Sequence, residues 1–309
     1  MQGEITRFLG HLQAEKGFSP NTVAAYQNDL HQLLSFVQNG VQDEGPSSPP
    51  SLWQTVNQAH IQSFIATLHS RSYAETTVAR KIASLKSFFH FLLNENLIPS
   101  NPADSLSTPG VRRSLPKTIS IGEVDKLLGQ TLKRETPEAR RDWAMLTLLC
   151  ATGMRVTELV KLNVEDVVLD RNYPHVRCVG RASRPRLIPL PEESIESIRE
   201  YLGGARDQLA RRPEERGLFL NRRGERLTRQ GFWLILKSYA KAANLRSEIT
   251  PHMLRHTFAA HMLQSGRLNL RELQEFLGHA SITTTQVYTH IPNGQAGPDV
   301  SKAAPSANR

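Results

Sequence analysis

Five side chains in this 309-residue sequence have the types needed to open and reseal a phosphodiester without metal or ATP. They are Arg155 in Gly153-Met154-Arg155, His252 and Arg255 in His252-Met253-Leu254-Arg255, His279 in Gly278-His279, and Tyr288. Two guanidiniums can clamp both non-bridging oxygens of a phosphodiester through paired N–H donors. A phenol can attack the phosphorus and conserve the bond energy as a phosphotyrosine ester.

Each residue also has a plainer reading. Arg155 follows Thr152-Gly153 after an apolar helix, and the next helix starts at once with Val156, Leu159 and Val160. The glycine permits a tight turn, so Arg155 points off a rigid corner; alternatively it caps the preceding helix and pairs with Glu158. His252 and Arg255 are three apart and share a helical face. Thr250-Pro251 before them reads as an N-cap followed by Pro at the first helical position. That puts both side chains at the positive end of the helix dipole, where a phosphate is favoured. His256, one turn from His252, raises a metal alternative. However, Met253 stands where an H-E-x-x-H zinc site needs Glu, and no metal or cofactor is expected. Gly278 reads as the residue ending an amphipathic helix, leaving His279 on a short turn. Taken singly, His279 could be an exposed helix-end histidine and Tyr288 a packing tyrosine.

The elements that must position these groups are mostly helical. Helices are expected over 2–15, from Ser19-Pro20 through Val37, at about 57–69 and over 73–95. The 73–95 helix buries Val78, Ile82, Leu85, Phe88, Phe89 and Leu92 and turns Arg80, Lys81 and Lys86 outward. Residues 105–118 read as a linker of Pro, Gly, Ser and Thr with basic residues, able either to wrap a duplex or merely to tether two domains. Helices follow at about 120–130 and 137–151. Three short strands, Val164–Asp170, His175–Val179 and Arg186–Leu190, come next, the last two joined by the turn Gly180–Pro185. Helices resume at about 192–203, 228–242, 251–265, 269–277 and 282–289. The fold class is mainly α: an N-terminal helical bundle (1–104), the linker, and an α-rich domain (119–291) with a small antiparallel sheet. The tail, 292–309, reads as disordered.

Charge agrees with a polyanionic partner. The net charge is +9, and it is unevenly placed. Residues 1–108 hold six Lys and Arg against eight Asp and Glu, whereas 109–290 hold thirty against twenty. If DNA is the partner, the second domain makes most of the phosphate contacts. Candidate DNA contacts are Arg71, Arg80, Lys81 and Lys86 in the first domain, Arg112 and Arg113 in the linker, and Arg184 in the strand turn. No apolar run approaches 18 residues, so no transmembrane helix and no membrane partner are expected. The N-terminal segment has neither a signal-peptide nor a transit-peptide pattern. Cys150 and Cys178 make no disulfide or metal spacing, which suits reduced thiols in the cytosol.

The stretches ATGMRVTEL, HMLRHTFAAH and LGHASITTTQVYTH, in that order and spacing, resemble the tyrosine recombinases, or phage-type integrases, and look closest to the Xer-type members. The resemblance covers nearly the whole chain. It implies a SAM-like core-binding domain followed by the integrase catalytic fold. It implies that Arg155 and Arg255 bind the scissile phosphate, that His252 and His279 bond its oxygens or shuttle the nucleophile's proton, and that Tyr288 attacks. The products would be a 3′-phosphotyrosyl link and a free 5′-hydroxyl, with exchange through a Holliday junction. Implied partners are double-stranded DNA with paired recombination sites and a tetramer, built of this chain alone or with a second recombinase. Localisation would be cytoplasmic, with the nucleoid.

Two features depart from the family. Its usual general-acid lysine in the strand turn is matched here by Arg181, and no lysine lies between Lys161 and Lys237. Arginine holds its proton and is a poor acid, though it can stabilise a developing oxyanion. The tail also lacks the apolar stripe of the family's subunit-docking helix. An accessory DNA-binding protein of the same fold, impaired in catalysis by Arg181, is therefore the alternative. A strand-swivelling type IB topoisomerase ranks behind it, because that group's extra domains are missing.

Overall fold

The computed structural model describes residues 2–40, 52–107, 115–179, 185–245 and 248–291. The chain divides into two compact units, Met1–Arg113 and Ser114–Arg309. Arg112, Arg113, Arg181, Arg184 and the tail 292–309 lie outside the described residues.

The first unit is all helix: α1 (Gln2–Ala14), α2 (Pro20–Gly40), α3 (Leu52–Thr55), α4 (Gln58–Ser70) and α5 (Glu75–Asn94). Ser19 caps α2 as its sequence suggests, the Thr22 amide donating to Ser19 Oγ over 3.2 Å. Every apolar residue expected on the buried face of α5 is buried, and α1 buries Ile5, Phe8, Leu9 and Leu12 at helical spacing. The centre is aromatic, with Trp53 edge-on to Phe88 at 4.9 Å between rings. The short helix α3, absent from the sequence reading, supplies that Trp53. Its four residues are too few to show a helical period.

One expectation is overturned here. Lys81 does not point outward; it is 2% exposed. Its Nζ donates to Asp29 Oδ1 at 2.9 Å and to Gln32 Oε1 at 2.7 Å. Arg80 reaches the other oxygen of the same carboxylate, and Ser84 Oγ donates to it at 3.3 Å. A buried charge persists only when paired and hydrogen-bonded, and Asp29 on α2 supplies the pair. Helical spacing showed Lys81 beside an apolar stripe, but it could not show that the facing helix carries a buried acid. Of the other expected contacts, Arg71 is exposed, Lys86 is half-buried and Arg80 is half committed to Asp29.

The second unit contains α6 (Ile121–Thr131), α7 (Pro137–Thr152), α8 (Val156–Leu159), β1 (Val167–Val168), β2 (His175–Val179), β3 (Pro185–Pro189), α9 (Glu192–Glu200), α10 (Arg206–Leu209), α11 (Arg229–Ala242), α12 (Pro251–Gln264), α13 (Leu270–Leu277) and α14 (Thr283–Gln286). The fold is mostly α with one small antiparallel sheet, ordered β1-β2-β3. Val176 pairs with Ile188, and both are fully buried. Helix α7 runs through the middle, buried on nearly every side and packed against α6, α9 and α12.

Two expected elements are shorter than their sequence pattern. The strand expected over Val164–Asp170 opens instead as a 3-10 turn, Val164–Asp166, and pairs only at Val167–Val168. The reason is local: the Asp166 carboxylate accepts from the Asn163 amide at 2.9 Å and closes the turn. The helix expected over 192–203 is α-helical only over Glu192–Glu200 and passes into a π turn, Tyr201–Ala205, in which Gly204 has φ +139°.

A smaller apolar cluster of Phe258, Ala259, Met262, Leu273, Leu277, Tyr288 and Ile291 ties α12 and α13 to the 3-10 turn Val287–His290.

Breaking a buried ion pair costs about 3–5 kcal/mol. Lys81→Met should therefore lower the unfolding free energy of the full-length chain by about 3 kcal/mol in urea melts, with DNA affinity of the folded protein unchanged. Weakened DNA binding at wild-type stability would return Lys81 to the DNA-facing set.

Candidate active site

Helix α7 ends at Gly153, which has φ +56°. A Cβ there would lie 2.4 Å from the Phe258 ring, so the position needs glycine for both conformation and space. Two residues on, Arg155 opens α8. Its amide donates to Glu158 Oε2 at 2.7 Å and its Nη1 to Glu158 Oε1 at 3.2 Å. The same side chain crosses to the end of α13, where Nη1 meets Leu277 O at 3.4 Å and Nη2 meets Gly278 O at 3.0 Å. The pair with Glu158 and the corner that projects Arg155 are therefore both present, but the helix end that Arg155 caps is that of α13, not the preceding α7.

Helix α12 starts as its sequence suggests, with Thr250 Oγ1 accepting from the Met253 amide at 3.2 Å and Pro251 in the first turn. Arg255 is only 5% exposed. Its Nη1 donates to Gly153 O at 2.6 Å, and its Nη2 to Leu277 O at 2.9 Å and His279 Nε2 at 2.9 Å. Both arginines thus meet at Leu277 O. Burial first, and then Arg155, lowers the Arg255 guanidinium to about 10, so it stays charged at neutral pH.

Gly278 ends α13 with φ +65°, as expected, and His279 follows on the turn. Its Nε2 accepts from Arg255, so the ring proton sits on Nδ1, 2.9 Å from Thr285 Oγ1. Burial, and then Arg255 and Arg155, push His279 down to about 4 and keep it neutral. Tyr288 is 2% exposed. Burial raises its phenol while Arg255 and Arg155 pull it down; the net direction is up.

His252 is exposed at the mouth of this group. Its ring lies 6.5 Å from that of His256. The structure therefore brings Arg155, Arg255, His279 and Tyr288 into one contact network, with His252 at its edge.

Two contributors, His256 and Arg186, have no role in the sequence reading, and a third, Glu158, appears there only as a partner of Arg155. His256 Nδ1 lies 2.8 Å from Tyr288 Oη. Its i+4 spacing from His252 placed it on the right face, but only a metal was considered for it. Glu158 holds Arg155 and also binds Arg186 through two contacts of 2.9 Å. Burial works to raise the Glu158 carboxyl, yet hydrogen bonds from Arg186 and the Arg155 amide outweigh it and hold the group low. Arg186 also donates to Phe276 O at 2.9 Å, which ties β3 to the end of α13.

The chain matches the phage integrase family over residues 117–294 and that family's N-terminal SAM-like domain over residues 5–96. It is 46% identical to a tyrosine recombinase XerC of Herpetosiphon aurantiacus over 296 residues, 96% of this chain and 93% of that protein. It is 42% identical to a tyrosine recombinase XerD of Listeria innocua, covering 94% of this chain and 95% of that protein. Among solved structures, it shares its fold with the XerH site-specific recombinase bound to a difH substrate. That match has a TM-score of 0.69 at 23% identity and covers 88% of this chain and 76% of that one. It also resembles a lambda integrase tetramer bound to a Holliday junction, with a TM-score of 0.67 at 17% identity, over 93% and 76% of the two chains.

Left-handed backbone costs a non-glycine residue roughly 1–2 kcal/mol, and forced overpacking adds about 1–3 kcal/mol. Gly266 has φ +68° in open space, whereas Gly153 faces Phe258. Gly153→Ala should therefore lose about 2–5 kcal/mol and Gly266→Ala about 1–2 kcal/mol in thermal or urea unfolding. Equal losses would show that the Gly153 contact is not tight.

Proposed function

The chain belongs to the phage integrase family of tyrosine recombinases, which cut and rejoin DNA strands without metal or ATP, and from that premise we propose which of its residues perform each step. Tyr288 is the nucleophile. Its Oη attacks the scissile phosphorus, forming a 3′-phosphotyrosyl link and releasing a 5′-hydroxyl. Attack by the partner strand's 5′-hydroxyl reverses the step through a Holliday junction.

The observation that carries this reading is the convergence of two guanidiniums beside a buried phenol. Arg155 and Arg255 share the acceptor Leu277 O. Each uses three hydrogen bonds among the described residues, and a guanidinium has five N–H donors. The remaining donors suit the two non-bridging oxygens of a phosphodiester. His279 adds a neutral imidazole beside Arg255, and His252 adds an exposed imidazole at the opening. Charge that develops on the phosphoryl oxygens thus meets fixed donors in a partly dry site.

The first unit serves as the core-binding domain and the second as the catalytic domain, with the linker between them against DNA. The basic excess of residues 109–290 supports most phosphate contacts there, with Arg71 and Lys86 contributing from the first. The working assembly is a tetramer on two duplexes, acting at the nucleoid in a Xer-like role such as dimer resolution or mobile-element movement. No described helix is long and apolar enough to cross a membrane.

Arg181 takes the place of the family's acid. General acid catalysis contributes on the order of 10²–10⁴-fold, so protonation of the leaving 5′-oxygen limits cleavage in this chain.

Two outcomes are expected. Tyr288→Phe should keep duplex binding and lose the covalent adduct on a nicked suicide substrate; an adduct that persists removes Tyr288 from the role. A substrate with 5′-bridging sulfur, whose thiolate leaves without a proton, should be cleaved much faster than normal DNA by the wild type. Arg181→Lys should narrow that gap. Equal rates on both substrates would show that another group supplies the proton.

A further inference from the structure

We propose that His256 is a further catalytic residue: its Nδ1 takes the phenolic proton as Tyr288 attacks the phosphorus and returns that proton when the strand is resealed. The inference rests on Tyr288 being the nucleophile.

Two imidazoles, His256 and His279, lie against the phenol and a third, His252, lies beside His256; the three are not equivalent. His279 has committed both nitrogens, Nε2 accepting from Arg255 and Nδ1 donating to Thr285. It also stacks on Tyr288 with 14° between the ring planes and 6.4 Å between centroids, so it presents a face rather than a lone pair. His252 is exposed, and its nearest described ring contact is His256. His256 alone of the three has a nitrogen at hydrogen-bond distance from Oη, 2.8 Å. That is the reach a general base needs. Its backbone is rigid: His256 sits mid-helix in α12, one residue after Arg255, and its two neighbours Arg255 and Thr257 are both buried.

The direction of the hydrogen bond follows from the acidities. Burial first, then the charges of His252 and Arg255, hold His256 near 4, so its ring is neutral at pH 7. The Tyr288 phenol stays protonated. The phenolic O–H is the stronger donor and the imidazole nitrogen the stronger acceptor, so Oη–H donates to Nδ1 and the ring proton of His256 sits on Nε2. The groups facing His256 are His252 and Arg255 on its own helix, Tyr288 from the 3-10 turn and His279 from the turn after α13. A phosphodiester brings a negative charge to this group and makes the imidazole more basic.

The step balances. The Oη–H electron pair forms the Oη–P bond, and the proton passes to Nδ1. The P–O5′ bond breaks, and its electrons leave on the 5′-oxygen, which takes a proton from water or a neighbouring donor. Resealing runs the same events backwards, with the His256 imidazolium protonating the departing phenolate.

The test is single-turnover cleavage of a nicked suicide duplex by the full-length chain between pH 5 and 9. His256→Asn places an amide oxygen near the Nδ1 position; it accepts the hydrogen bond and cannot take the proton. Duplex binding should be unchanged, and cleavage at pH 7 should fall on the order of 10²-fold. The deficit should shrink as pH rises, because hydroxide then removes the phenolic proton. Cleavage within about threefold of wild type, with the wild-type pH profile, overturns the proposal. Histidine-labelled wild-type protein gives a second reading that does not depend on a variant folding. The ¹⁵N shift of His256 Nδ1 should be that of an unprotonated, hydrogen-bonded nitrogen and should move in Tyr288→Phe; a protonated Nδ1 overturns the proposal. A Tyr288→Phe protein that still forms adduct removes the nucleophile reading itself. Loss of that adduct with wild-type behaviour of His256→Asn removes only the role of His256.

Discussion

A buried guanidinium organises the second unit. Arg255 is almost wholly enclosed, and a buried charge is tolerated only with its donors satisfied. Its acceptors come from places far apart in the chain: Gly153 O, Leu277 O and His279 Nε2. The first two are backbone carbonyls at the C-terminal ends of α7 and α13, which have no partner inside their own helices. Those ends also carry the negative pole of the helix dipole. The two helix ends and the arginine therefore satisfy one another, and meeting that requirement fixes where α7, α12 and α13 meet.

The same charge sets the ionisation of its neighbours. Burial and then the charge of Arg155 disfavour the Arg255 proton, and burial together with Arg255 and Arg155 keeps His279 neutral. Burial raises the Tyr288 phenol while the arginines pull it down. The result is a protonated phenol beside the neutral imidazoles of His256 and His279 and two guanidiniums, with the buried carboxylate of Glu158 bonded to Arg155. A phosphodiester placed between the guanidiniums supplies the anion that this arrangement lacks.

Glu158 extends the arrangement to the sheet. It holds Arg155 on one side and Arg186 of β3 on the other. Arg186 also grips Phe276 O near the end of α13. Strand β3 is thus pinned to the same helix end that holds Arg155 and Arg255. A substitution at Glu158 or Arg186 would disturb the arginine clamp and the hairpin together.

Much of this was legible in sequence where the cause is local. Ser19-Pro20 and Thr250-Pro251 start helices, and Gly153 and Gly278 end them, because capping depends on residues a few positions apart. The stripes of α1 and α5 are likewise set by helical period. The motif residues Arg155, His252, Arg255, His279 and Tyr288 were found by type and spacing. Tertiary structure decided the rest, because depth and partnership depend on what packs opposite. Lys81 looked like its neighbour Arg80 along the helix, yet Asp29 on the facing α2 made it a core residue. His256 gained meaning only when the turn carrying Tyr288, 32 residues later, brought a phenol to its Nδ1. Arg186 and Glu158, 28 residues apart, became a pair only when β3 packed beside α8. Local rules place a side chain on a face; the long-range pairing of buried polar groups decides which of those faces does chemistry.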